Sequence, residues 1–204
     1  MDQLPLVLLL QIAEYSFDTW RSFVFAHPRV GRWSLQLEYQ KYIQRKYTQC
    51  VEYQQHNDGI IREYKLCNKL HNIDGPAVEY SHGSKYWYKH DLHHRDNDLP
   101  AFERSDGTKA WWLNGLCHRD HDLPAVIHAD GKKEWWLNGK RHRDNDLPAV
   151  MQADGTRVWY INGLRHRDGD LPAFERVDGF KQWYKNGLVH RDDDLPAIEW
   201  EGGT

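Results

Sequence analysis

Two short runs of mixed apolar and polar residues recur along most of the chain, each closed by a turn-forming dipeptide. In one copy, residues 100–105 pass from Ala101 and Phe102 to Glu103, Arg104 and Ser105, and end at Asp106-Gly107. Residues 108–113 follow, with Trp111 and Trp112 at their centre, and end at Asn114-Gly115. Six residues is an ordinary strand length, and Trp and Thr suit strands. Asp-Gly and Asn-Gly supply the positive φ angles that a type I′ turn needs at both centres. The pattern predicts one antiparallel hairpin per copy, the chain then passing through Asn-Gly and an HRDxDLPA segment to the next.

A two-residue turn at Asp106-Gly107 would set Phe102 opposite Trp111 and Ala101 opposite Trp112. Side chains alternate faces along a strand, so the two pairs fall on opposite faces. Stacked copies would build two aromatic ladders, one per face. Aromatic–aliphatic cross-strand pairs each stabilise a sheet by roughly 0.2–1 kcal/mol.

The copies keep a strict period of 24 residues. Tryptophan recurs at Trp87, Trp111, Trp135, Trp159 and Trp183, and histidine at His94, His118, His142, His166 and His190. Such a period is the mark of a repeat architecture. The fold class expected is mainly β: an elongated single-sheet array of stacked antiparallel hairpins over residues 48–204. Residues 51–93 are worn copies, with Asp58-Gly59, Asn68, His71 and Asp74-Gly75-Pro76-Ala77 echoing the phrase. Active sites are normally single, so residues copied in every repeat read as structural.

Residues 1–47 lack the repeat and read as a small α-helical N-terminal module. Residues 4–15 form a short apolar helix with Leu9 and Ile12 three apart. Asp18 can cap a second helix, and Pro28 can open a third in which Trp33, Leu37, Tyr39 and Ile43 mix with polar residues. One reading is a cap over the first strand of the array.

The D-G…W…N-G-x-x-H spacing of residues 51–204 resembles the MORN repeat, in a variant of the kind found in large DNA viruses of amoebae. It departs after the histidine, where MORN units usually carry glycine and this chain carries Arg-Asp-x-Asp-Leu-Pro-Ala. The resemblance implies a hairpin scaffold that binds partners, not an enzyme. Leu4-Pro5, Leu9-Leu10, Ile12, Tyr15, then Arg32-Trp33 resemble an F-box, with departures at Val7 and Ser16. That resemblance implies that Leu4, Pro5, Leu9 and Ile12 contact the Skp-type adaptor of a cullin ubiquitin ligase.

Charge narrows the partners. The formal net charge is −3, which gives no reason to expect nucleic acid or an acidic membrane surface. No apolar run reaches the roughly 18 residues of a membrane helix. The apolar stretch from Leu4 follows Asp2 instead of a basic segment, which argues against a signal peptide. Cys50, Cys67 and Cys117 are odd in number and follow no metal spacing, as suits free thiols in an intracellular, reducing setting; the viral resemblance implies the cytoplasm of an infected host cell.

The candidate chemistry is sparse. His-Arg-Asp is also a kinase catalytic phrase, but no Gly-rich phosphate loop or D-F-G accompanies it. Asp-x-Asp opens a calcium loop, but the further oxygen ligands and late glutamate are missing. No cofactor, metal or catalytic residue is expected. Arg95, Arg119, Arg143, Arg167 and Arg191 are expected instead to ladder with Asp96, Asp120, Asp144, Asp168 and Asp192 of their own or the next copy.

Where the copies differ, a binding surface is expected. The position two before the turn Asp reads Arg104, His128, Gln152, Arg176 and Trp200. The function expected is that of a protein–protein interaction adaptor or scaffold, with the array presenting the surface. The alternative is a structural scaffold, in a virion or on a cytoskeletal or membrane surface, with the helices as a cap only. Residues 197–201 would leave an open strand edge, which predicts a weak homodimer.

Overall fold

The computed structural model describes residues 48–52 and 59–200. The expected helical module, with Leu4, Pro5, Leu9 and Ile12, lies outside them. The described residues are built of antiparallel strands and turns, and contain no helix. The chain divides into two compact units, residues 1–92 and 93–204.

In the first unit, Ile60–Leu66 is the central strand. It pairs with Gln49–Glu52, with Lys69–Leu70 and, past a bulge, with Val78–Tyr80, which pairs with Lys85–Tyr86. The described part of the worn copies thus keeps the antiparallel hairpin order, with a longer strand and a bulge. Ala77 is fully buried, Trp87 is buried, and Gly83 turns the Val78–Tyr80 hairpin at φ 91°.

In the second unit a sheet of nine strands follows sequence order, from Phe102–Glu103 to Ile198–Trp200. Each repeat adds two strands, about 10 Å of sheet at the usual strand spacing. Each ladder is short: Phe102 pairs with Ala110 and Glu103 with Lys109, and Ala110 pairs in turn with Val126 of the next repeat.

This register differs by one residue from the predicted one. A type I′ turn needs positive φ at both centres, but of Asp106 and Gly107 only the glycine has it, at 94°. The Asp106 carboxylate accepts the Thr108 N–H at 2.7 Å, and the Gly107 N–H reaches the Arg104 carbonyl at 3.0 Å. The turn is therefore a three-residue loop with glycine as its left-handed third residue, and Arg104 pairs with Thr108. A slip of one residue reassigns every cross-strand partner. Trp111 lies opposite Ala125 of the next repeat, its N–H donating to the Ala125 carbonyl at 2.8 Å. The small-against-large pairing survives with the first tryptophan, not the second. Ala101, Ala125, Ala149 and Ala173 are fully buried, and Trp111, Trp135, Trp159 and Trp183 are buried beside them. These residues form the core.

Each repeat also holds a second hairpin that the single-hairpin reading leaves out. Trp112–Leu113 pairs with Leu116–Cys117 across Asn114-Gly115, where φ is 49° and 81°. Here the type I′ turn forms as its dipeptide predicts. A third turn follows in D-x-D-L. Asn97 and Asp98 both have positive φ, as do His121-Asp122, Asn145-Asp146, Gly169-Asp170 and Asp193-Asp194. Asn, Asp, His and Gly are the residues that tolerate this region.

Candidate interaction face

Neighbouring residues on a strand face opposite ways, so the two faces of the second unit can be read separately. One carries the Ala and Trp core together with the groups that lock repeat to repeat. At the centre of each lock is the second aspartate of D-x-D. Asp122 accepts from Arg143 of the next repeat at 2.7 Å (Nε) and 2.8 Å (Nη2). Its backbone carbonyl accepts the Trp135 indole N–H at 2.9 Å. The Arg143 guanidinium lies 3.8 Å over the Trp135 ring and donates to the Pro148 carbonyl. The same set recurs at Asp98/Arg119/Trp111, Asp146/Arg167/Trp159 and Asp170/Arg191/Trp183. Hydrogen bonding to the arginine holds the Asp98, Asp122 and Asp146 carboxyls below their ordinary range.

The expected arginine ladder thus exists with a different acceptor. The first aspartate of D-x-D is taken by histidine: His142 Nε2 lies 3.0 Å from Asp144 Oδ1. His142 Nδ1 accepts the Asn162 N–H of the next repeat at 3.1 Å, which leaves Nε2 as the protonated nitrogen. His94, His118 and His166 do the same with Asn114, Asn138 and Asn186. His190 lies beside Asp192. These histidine and arginine side chains are therefore engaged within the array. Among the described residues no group of three or more His, Cys, Asp or Glu is placed to hold a metal.

The other face carries much of what differs from repeat to repeat, although Glu103, Ile127, Met151, Glu175 and Glu199 vary on the first. The register puts Arg104, His128, Gln152, Arg176 and Trp200 along its outer row. Arg104, Gln152, Arg176 and Trp200 are exposed. His128 is drawn inward, its Nε2 lying 3.1 Å from Glu134. Trp200 packs edge-on to Phe180 at 6.2 Å.

Glu134 is the side chain on this face that the repeat does not explain. Its counterparts are Ala110, Val158 and Gln182. It is buried, yet it holds Lys132 at 2.6 Å, Arg141 at 2.9 Å and the Trp136 indole N–H at 3.0 Å. Burial alone would raise its carboxyl, but the Lys132 and Arg141 hydrogen bonds overcome this and hold it at about 2. Arg141 lies 4.9 Å from the Trp136 ring centre and 5.5 Å from that of Tyr160 in the next repeat.

One repeat on, Arg165 occupies the place of Arg141 and Val158 that of Glu134. Arg165 donates to the hydroxyls of Tyr160 at 3.2 Å and Tyr184 at 2.9 Å, and Tyr184 donates to Gln182. The side chains of Glu134, Arg141, Arg165, Tyr160 and Tyr184 are absent from the sequence-based candidates. Their signal was available as broken repetition: Ala, Glu, Val, Gln at the first position and Cys, Arg, Arg, Val at the second. These positions lie on the strands beside the outer row.

No family model and no curated protein matches this chain.

Proposed function

We propose that this protein is a non-enzymatic interaction scaffold of a MORN-like kind, whose array presents a binding face and whose first 47 residues act as an F-box-like recruiter of a Skp-type adaptor. The observation that supports the array half is the division of labour between its faces. The constant residues are spent on joining repeats, while the face opposite changes both along its outer row and on the strands beside it. A protein selected only to hold its own length has no use for such variation. A surface that discriminates partners does.

The recruiter half rests on Leu4, Pro5, Leu9, Ile12 and Arg32-Trp33. The test is binding of the purified full chain to a Skp-type adaptor by calorimetry. Micromolar binding is expected, lost in Leu9→Asp with the array's melting temperature unchanged. Absence of binding by the unaltered chain would refute the recruiter and leave the helices as a cap. The array half is tested by photo-crosslinkers placed at Gln152 and at Lys109 on the opposite face. Discrete adducts from the native cell context at position 152 only are expected; equal adducts at both would refute a dedicated face.

A further inference from the structure

The molecule supplies its own example of what Arg165 is built to hold. In the repeat before, an arginine and an aromatic side chain with a polar hydrogen, Arg141 and Trp136, converge on one carboxylate, that of Glu134. In the next repeat the arginine is kept as Arg165, and the aromatic becomes Tyr160, again with a polar hydrogen. The carboxylate is replaced by Val158, which is buried and cannot accept.

Arg165 is the cation on this face left over by the exchange. Among the described residues no carboxylate lies within ion-pair distance of it. It stacks 5.1 Å from the Tyr184 ring centre and 5.8 Å from that of Phe174, and spends Nε and Nη1 on tyrosine hydroxyls. The Tyr160 hydroxyl accepts from Arg165, and its own hydrogen reaches no acceptor among the described residues. A half-buried guanidinium held in place by aromatic rings is a preorganised oxyanion receptor.

We propose that Arg165 and Tyr160, with Tyr184 holding the guanidinium in place, receive a carboxylate from an acidic segment of a protein partner, in the place that Glu134 fills from within one repeat earlier. The inference rests on the array's being a partner-binding scaffold and adds the chemistry of the partner. Carboxylate is preferred to phosphate because the internal occupant of the equivalent place is a glutamate. Arg141, 5.5 Å from the Tyr160 ring centre, is already paired with Glu134 and adds no second free receptor. One acidic side chain is therefore read here, not a run of charge.

The experiment uses the full chain and a fluorescein-labelled hexaglutamate peptide, followed by anisotropy at low and at physiological salt. Hexalysine and a phosphoserine peptide of otherwise neutral sequence serve as comparisons. Saturable hexaglutamate binding that weakens with salt is expected, with none to hexalysine. Arg165→Gln should weaken it about tenfold or more, and Lys109→Gln, an exposed cation on the opposite face, should leave it within about twofold. Val158→Glu supplies the missing carboxylate from within. It should block the peptide as well as Arg165→Gln does while keeping the melting temperature of the unaltered chain. A buried, unpaired glutamate would instead lower that temperature sharply, so this variant reads the receptor even if Arg165→Gln folds poorly.

Hexaglutamate binding indifferent to both Arg165→Gln and Val158→Glu, no binding at millimolar peptide, or preference for the phosphoserine peptide would each overturn the proposal. Face-specific crosslinks at position 152 alongside such a result would leave the scaffold reading standing. Loss of both would remove the two together.

Discussion

Replacing Asp122 by alanine should cost the array more than any change at the neighbouring Asp120, and should do so by uncoupling repeats. Asp122 serves Arg143 with two charge-assisted hydrogen bonds of 2.7 and 2.8 Å. The arginine side chain is only 13% exposed, while the aspartate is 49% exposed. Hydrogen bonds to charged groups contribute about 1.5–3 kcal/mol, and solvent at the aspartate argues for the lower half of that range. Asp122 also stands at φ 53°, where alanine is worse by roughly 1 kcal/mol. Together these give about 3 kcal/mol. Asp122→Asn keeps the left-handed backbone, the carbonyl for Trp135 and one acceptor for Arg143, and should cost about half as much. Asp120, 70% exposed and bonded to His118 alone, should cost under about 1 kcal/mol as alanine. In a chain of this size the melting temperature should fall by about 6–12 °C for Asp122→Ala. Because the lost bonds join two repeats, urea unfolding should also broaden or split as nearest-neighbour coupling weakens. Equal losses for Asp122→Ala and Asp120→Ala, with an unchanged urea slope, would refute the assignment of the lock.

His121 stands at φ 62° where another repeat has Gly169, so His121→Gly should raise stability by up to about 1 kcal/mol, checked by urea titration. Burial, and then Glu134, push the Cys117 thiol up to about 12, while Cys50 and Cys67 are exposed; a disulfide reagent at pH 8 should titrate two thiols in the folded chain and the third only in denaturant. Burial lowers His71 to about 4, so between pH 6.5 and 4 the unfolded chain binds the extra proton and stability falls with pH by about 3 kcal/mol. Glu134, held at about 2, adds a loss of similar size between pH 4.5 and 2; Glu134→Gln should flatten that lower limb in a pH series of urea midpoints, and an unchanged limb would contradict the pairing with Lys132 and Arg141.

The hairpin order and the buried first tryptophan were legible in the sequence because both follow from the period and from turn dipeptides. The register was not. Asp106-Gly107 suits a two-residue and a three-residue loop equally well by composition, and what decides is the Asp106 carboxylate reaching the Thr108 N–H. The D-x-D turn was visible in the residue types at its first position, Asn, His, Asn, Gly and Asp, all at ease with positive φ. By residue type alone the arginines are paired with the first aspartate of each, Asp96, Asp120, Asp144, Asp168 and Asp192, instead of the second. The pairing of each arginine with the second aspartate depends on that turn, because the left-handed pair brings the carbonyl of the same residue to the next tryptophan. Glu134 and Arg165 were not legible because residue types alone do not show which varying positions meet across the two hairpins of neighbouring repeats.

The lock has the same spacing at every junction: Arg to Asp across 21 residues, Trp to Asp across 13, Asn to His across 20. Within residues 98–191 any stretch of 24 residues could therefore be excised or duplicated in frame, and the new neighbours would find the partners they need. Removal of residues 119–142 would bring Arg143 to Asp98, where Arg119 now sits. A deletion of 23 would leave every later lock intact but ruin one. Recombination can thus set how many modules the array contains, while point substitution sets what each module displays. The two kinds of change act on separate sets of residues, so the chain can alter its reach without losing its specificity.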